Sequence, residues 1–413
     1  MKTLKDLHPV ILNIIIGTMF GRMATSMSIP FLAIYLTKVM HISSSKTGMI
    51  IAISALIGIC TSFFGGYLSD RFGRKIVLYI SIFIWSMVFV GFGIVQTVAG
   101  FFIINAMNGF CRSVFEPTSR ALLADLTEPK NRLAIFNLRY TAINLGVIVG
   151  PLLGYFLGSS KTTFPFFIAA GVYIIYGLSL VLTFRNSILE ISASPSIQKP
   201  VTMKEAVKIA RADSILLLFL IGLILATLGY SQFGSTLPQY LSNSESIKNG
   251  AQLFSLLLAL NAAIEIFIQY PLLKIGKRNS PIFSILLGNI VSSVSLLGFG
   301  FAKSIPVWII MVFLFTIGEV LMFSMTDVFM DAIAKPNLRG TYFGAMGFTQ
   351  IGQVAGPALG GFLLDHFGYN HPFMVFSTVG ALSILGVPML LIVHWKQNKN
   401  RVTGKEAEIE SLT

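Results

Sequence analysis

Among the ionisable residues inside long apolar runs of this chain are Arg22, Arg112, Glu116, Glu265, Glu319 and Asp327. A charged side chain at the centre of a bilayer costs roughly 3 kcal/mol or more unless it faces protein or water, so each needs a partner or a wet surface. Helical spacing extends them into four polar stripes: Thr18/Arg22/Thr25, Asn105/Asn108/Arg112/Glu116, Asn261/Glu265/Gln269 and Thr316/Glu319/Asp327. Stripes at matching depth predict a water-accessible cavity halfway across the hydrocarbon. Carboxylates placed there exchange protons or hold cations, and guanidinium groups hold anions.

Arg112 and Glu116 are one turn apart, and Arg22 competes for the same carboxylate from another run. A purely structural ion pair and a substrate or proton site are both open readings of that trio. Glu319 differs, because no basic residue shares its run near that depth. Leaving water favours the protonated form of a carboxyl group, so Glu319 is the first candidate for a proton or cation site, with Glu265 second and Asp327 third. Tyr35, Tyr140, Asn144, Tyr230, Gln232, Gln239, Gln350 and Gln353 bring hydrogen-bonding groups to the same runs and are candidates for substrate contact or for helix-to-helix bonding.

Other chemistries find little footing. Cys60 and Cys111 have no second Cys or His at ligand spacing, so neither a metal site nor a disulfide framework is expected. There is no nucleotide loop or nucleophile–base constellation, which argues against an enzyme and against a cofactor. His8, His41, His366, His371 and His394 fall near loops or run ends.

The elements that must position these residues are spans of a membrane. Hydrophobic residues make up 54% of the chain and charged ones 11%, against about 25% charged in soluble domains. The net charge of +13 is spread over short connections rather than a stripe, which excludes nucleic acid as a partner. Runs long enough to cross a bilayer fall at 10–36, 45–68, 76–96, 99–126, 133–158, 164–184, 214–241, 250–273, 281–301, 305–334, 341–364 and 372–395. Basic residues concentrate in alternate connections, among them Arg71/Arg74/Lys75, Lys130/Arg132 and Lys274/Lys277/Arg278. By the positive-inside rule both termini are cytoplasmic.

The mixed-charge stretch 185–213, with Pro195 and Pro200, divides the chain into a first bundle, 1–184, and a second, 214–395, followed by a tail, 396–413. A short surface helix is expected at 203–212. The halves echo each other: Gly146, Gly150, Pro151 and Gly154 of the fifth run recur 206 residues later as Gly352, Gly356, Pro357 and Gly360, and Asp125, Pro129 and Arg132 recur as Asp331, Pro336 and Arg339. Such internal repetition predicts an all-α membrane protein of twelve transmembrane helices in two pseudo-symmetric six-helix bundles.

The turn Gly66-Tyr67-Leu68-Ser69-Asp70-Arg71-Phe72-Gly73-Arg74-Lys75 lies between the second and third runs. It resembles the loop signature of the major facilitator superfamily, with Gly66, Leu68, Asp70, Arg71, Gly73, Arg74 and Lys75 in the family's places and Ser69 as a small-for-small departure. Physically, a carboxylate at Asp70 suits the positive N-terminus of a facing helix, and the basic residues suit Asp70 or Asp125, which together make a conformational latch. The copy near Tyr270 to Arg278 keeps Gly276, Lys277 and Arg278 but has Leu273 where the aspartate would fall. The glycine–proline motif of the fifth run places Gly146, Gly150 and Gly154 on one helix face, a packing seam in any reading. It also resembles the signature associated in that superfamily with proton-antiport exporters, with Tyr155 departing from a paired glycine. In the fourth run the family's usual arginine is replaced by Asn105, and Arg112 lies two turns on.

The resemblance implies a cavity lined by the first, fourth, seventh and tenth helices, alternating access, and proton-coupled efflux of small amphipathic compounds similar to that of twelve-span drug/proton antiporters. A proton-coupled importer of a metabolite and a transport-inactive receptor or lipid-handling scaffold are the alternatives. The expected setting is the cell membrane, the expected partners are a small-molecule substrate, protons and lipid, and one chain holding both halves is expected to act as a monomer.

Overall fold

A computed structural model describes residues 7–128, 131–186, 211–278, 280–334, 342 and 345–410, with the side chains of 62–67, 70, 133, 134, 273–278 and 400–410 outside that description. Every described element is helical. In hydrocarbon each backbone N–H and C=O must be satisfied within its own segment, and a helix does this.

The elements run α1 Pro9–Ile34, α2 Ser44–Phe72, α3 Arg74–Ile94, α4 Val98–Asp125, α5 Arg132–Phe156, α6 Phe164–Asn186, α7 Ser214–Tyr230, α8 Thr236–Asn243, α9 Gly250–Arg278, α10 Pro281–Phe299, α11 Ile305–Ile333, α12 Ile351–Phe367, α13 Pro372–Ile384 and α14 Gly386–Glu410. Among the described residues, eleven stretches are long and apolar enough to cross a membrane. Their starts carry capping chemistry in the sequence: the side chain of Thr97 accepts the N–H of Gly100, and Asp213 accepts those of Ile215 and Leu216. Gly73, at φ +85°, makes the turn between α2 and α3, a conformation that glycine adopts without steric cost.

Three predicted runs are less regular than the sequence suggests. The first ends in a π-helical turn, Tyr35–Val39. The seventh is interrupted: α7 is followed by one 3-10 turn, Ser231–Phe233, before α8 resumes the path. Gly234 falls in that break, where a residue lacking a side chain weakens helix propagation. The eleventh opens with a 3-10 segment, Met346–Gln350, and its regular part, α12, is 17 residues long. The expected surface helix at 203–212 lies almost wholly outside the described residues.

The chain gathers into two compact units. The first comprises Met1–Pro200, Gln232–Ile266 and Pro357–Asn370; the second comprises Val201–Ser231, Phe267–Gly356 and His371–Thr413. The core of the first is rich in aromatic rings from α3, α4 and α6. Phe89 stacks on Tyr173 and Phe92 on Phe166, both with centroids 5.1 Å apart. Such pairs add about 1 kcal/mol beyond their burial. The core of the second joins α7, α10, α11 and α14, with Phe219 against Phe329 at 4.5 Å.

Within the first unit, segments late in the chain are tied to early ones. Asp365, near the end of α12, accepts the N–H groups of Ser44 and Ser45 at the start of α2, both at 2.9 Å, and Ser44 shares a hydrogen bond with Tyr369. Lys38 donates to the carbonyl of Ser242, and Asn243 donates to Thr37.

Candidate functional site

Glu116 is the hub of the first unit's buried charge. Arg22 of α1 approaches one carboxylate oxygen at 2.5 Å, and Arg139 of α5 approaches the other at 2.5 Å. Side-chain exposure falls from 25% for Arg22 to 14% for Glu116 and 6% for Arg139. Two charge-assisted bonds, one per oxygen, satisfy the carboxylate in a place where water is scarce. Arg112 lies one turn before Glu116 on the exposed side of α4. A small cavity of about 20 Å³ adjoins the pair, bounded by Arg22, Glu116, Thr25, Trp85, Phe115 and Tyr173 among others, enough for one water molecule.

Arg139 is absent from the sequence expectations although the signal is present. It stands seven residues before Gly146, two helical turns, and so shares the glycine face of α5. That face is the seam with α1. A Cβ added at Gly146 would lie 2.4 Å from the carbonyl oxygen of Met19, at Gly150 2.6 Å from that of Met23, and at Gly154 2.2 Å from that of Met27. Backbone meets backbone, which brings Arg139 within reach of α4. The repeat behaves alike in the second unit, where a Cβ at Gly352 of α12 would lie 2.2 Å from the carbonyl oxygen of Ile224 on α7.

The other polar residues of the α4 stripe serve packing. Asn105 donates to the carbonyl of Ile50 at 2.5 Å, and Asn108 accepts from the Trp85 indole at 2.8 Å while donating to Asn105. On α1, Thr25 bonds the Tyr173 hydroxyl at 2.9 Å. Asn105, where the resembled family carries an arginine, is thus a buried bridge to α2.

Glu265 belongs to the first unit as well, and Tyr140 of α5 donates its hydroxyl proton to that carboxylate. Further along the same two helices, Ser255 donates to the carbonyl of Pro151 at 2.7 Å, so α5 and α9 run antiparallel in contact. Glu319 and Asp327 are on α11 of the second unit; Glu319 is 8% exposed and Asp327 is open. Gln232 and Gln239 are fully buried, and Gln239 donates to the carbonyl of Ser235, one turn back.

At the turn between α2 and α3, Arg74 pairs with Asp125 at the end of α4, Nε to Oδ2 at 2.5 Å. Lys75 sits over the ring of Phe184 at 5.6 Å, and Arg71 over that of Phe72 at 5.5 Å. The side chain of Asp70 lies outside the described residues, as do those of Leu273 to Arg278 and the segment with Pro336 and Arg339. Among the described residues no group of His, Cys, Asp and Glu could hold a metal ion.

A sequence profile described as Major Facilitator Superfamily matches residues 14–350. The chain is 47% identical to the uncharacterized MFS-type transporter YqjV of Bacillus subtilis (strain 168), over 99% of each chain. It is 28% identical to Multidrug resistance protein 1 of the same organism, over 86% of this chain and 89% of the relative. Identity to the Na(+), Li(+), K(+)/H(+) antiporter of Planococcus maritimus is 26%, over 89% and 92%. Among solved structures, the peptide transporter POT superposes with a TM-score of 0.79 at 15% identity, over 94% of each chain, a likeness of fold alone.

Proposed function

The chain belongs to the Major Facilitator Superfamily, and from that premise we propose that it is a proton-coupled exporter of small amphipathic compounds. The observation that carries this reading is the cluster of Arg22, Glu116 and Arg139, two guanidinium groups and the carboxylate they share, from three apolar spans. Charges that deep in a membrane are costly and are kept where substrates or ions pass. Similarity to a multidrug resistance protein and to a cation/proton antiporter supports the direction and the coupling. In this reading Glu319, Glu265 and Asp327 exchange protons, Arg22, Arg112 and Glu116 face the substrate, and two pseudo-symmetric bundles alternate access to opposite faces. The protein sits in the cell membrane with both termini cytoplasmic and works as a monomer.

The test begins with compounds whose toxicity rises when the gene is deleted. In everted vesicles these compounds should accumulate and dissipate a preset proton gradient on addition. Uptake into intact cells driven by an inward gradient would reject export. It would favour a symporter of an anionic metabolite, a second reading that draws on the two guanidinium groups set against the single carboxylate of Glu116.

A further inference from the structure

Arg139 and Tyr140 are consecutive on α5, so their side chains leave the helix about 100° apart. Each ends on a carboxylate of a different helix, Arg139 on Glu116 of α4 and Tyr140 on Glu265 of α9. The two carboxylates are held by opposite chemistries. Protonating Glu116 would leave two guanidinium groups facing a neutral acid in a poorly solvated place. Protonating Glu265 leaves no stranded charge, because its donor is a phenol. A hydrogen bond to an ionised acceptor is about twice as strong as one between neutral groups, so a proton on Glu265 weakens its hold on Tyr140.

The surroundings favour that asymmetry. On α9 the polar neighbours one turn to either side of Glu265 are Asn261 and Gln269, both uncharged. On α5, Arg139 is engaged with Glu116, and on α1 so is Arg22. Another tie of this seam, Ser255 to the carbonyl of Pro151, contains no group that titrates near neutrality. One contact between α5 and α9 therefore answers to protons while its neighbour does not.

We propose that the Glu265–Tyr140 hydrogen bond is the proton-responsive contact of this carrier: the ionised carboxylate holds α5 against α9, and proton uptake by Glu265 releases it. The step is a proton transfer only. The proton binds a Glu265 oxygen, the Tyr140 O–H bond stays intact, and no covalent bond breaks. Tyr140 acts here as a positioning residue, and Arg139 makes the same helix sense the ion cluster at Glu116. The consequence for transport rests on the proton-coupled reading above, whereas the contact can be tested without a substrate.

Spin labels at Thr141 on α5 and Leu256 on α9, in a chain with Cys60 and Cys111 replaced by serine, report the seam as a distance distribution in lipid nanodiscs. Between about pH 5 and about pH 9, spanning the range in which perturbed carboxyl groups titrate, the parent should exchange two distance populations. Glu265→Gln should show the low-pH population at every pH, and Tyr140→Phe should lose the high-pH one. Glu265→Asp should still titrate, with a displaced midpoint, and Ser255→Ala should keep the parent midpoint. A parent that does not titrate, or Glu265→Gln or Tyr140→Phe with the parent's transition, would overturn the proposal. Vesicles that fail to couple substrate to protons while the seam titrates as expected would instead reject the exporter reading and leave the contact standing.

Discussion

The two ends of α2 are held in different ways. At its start, the carboxylate of Asp365 caps the first backbone N–H groups, Tyr369 meets Ser44, and Lys38 reaches the carbonyl of Ser242 close by. Backbones also touch there: a Cβ at Gly48 would lie 2.1 Å from the carbonyl oxygen of Pro357, and one at Gly361 would lie 2.1 Å from that of Ser44. Just past its other end, Arg74 at the start of α3 forms an ion pair with the half-exposed Asp125, beside the cation–ring contacts of Arg71 and Lys75. One end thus joins residues more than 300 positions apart in the chain, and the other joins the start of α3 to the end of α4, far closer in sequence. Asp365, on α12, caps the helix start of α2, and the sequence places another carboxylate, Asp70, near the opposite end of α2. A carboxylate on a helix N-terminus makes a useful latch, because when it opens both partners regain water and neither becomes a stranded charge.

The largest expected effect comes from separating the backbones. Gly48→Val should force α2 from α12, costing about 1–3 kcal/mol as overpacking against a rigid carbonyl, visible as a lowered midpoint in thermal unfolding of the purified protein. It should also raise labelling of a cysteine placed at Ser45 by a bulky thiol reagent. Unchanged labelling would mean that this end opens without separation of α2 from α12. Asp365→Ala comes next, at about 1 kcal/mol, the typical worth of a capping side chain, with the same rise in Ser45 labelling. Lys38→Met should have a similar or smaller effect on stability, since it removes one part-buried bond to a carbonyl. Tyr369 adds no pH dependence near neutrality. Burial first, with the Asp365 charge adding, pushes its phenol above the usual range, while the Ser44 hydrogen bond pulls the other way.

Much of this arrangement can be read in the sequence, and the remainder has identifiable causes. Helix positions follow from apolar runs because hydrocarbon leaves the backbone no alternative, and the repeat of Gly146, Gly150 and Gly154 marks a close seam wherever it occurs. The partners of that seam are not in the pattern: nothing in the spacing of the glycines says that α1 lies opposite, and so Arg139 escapes notice as a second ligand of Glu116. The Arg22–Glu116 pair is legible from charge and depth alone. Asp365 and Lys38 look like ordinary loop charges at span ends, and their role depends on which helix start comes to face them, a fact of tertiary packing. The interruption of the seventh span is visible only as Gly234, a residue many continuous helices carry.

The smallest effect should come from the end marked by the most recognisable motif. Arg74→Gln removes the ion pair with Asp125, whose carboxylate is 40% exposed. Exposed pairs contribute about 0–1 kcal/mol once screening and side-chain entropy are counted, so the unfolding midpoint should move little and in a salt-dependent way. The motif's value then lies in conformational balance rather than stability. If so, Arg74→Gln should leave Ser45 labelling at the far end of α2 within error in the resting protein, whereas Asp365→Ala changes it. A stability loss for Arg74→Gln comparable with that of Gly48→Val would erase the contrast between the two ends and show that the Arg74 side anchors the fold as firmly as the Asp365 side.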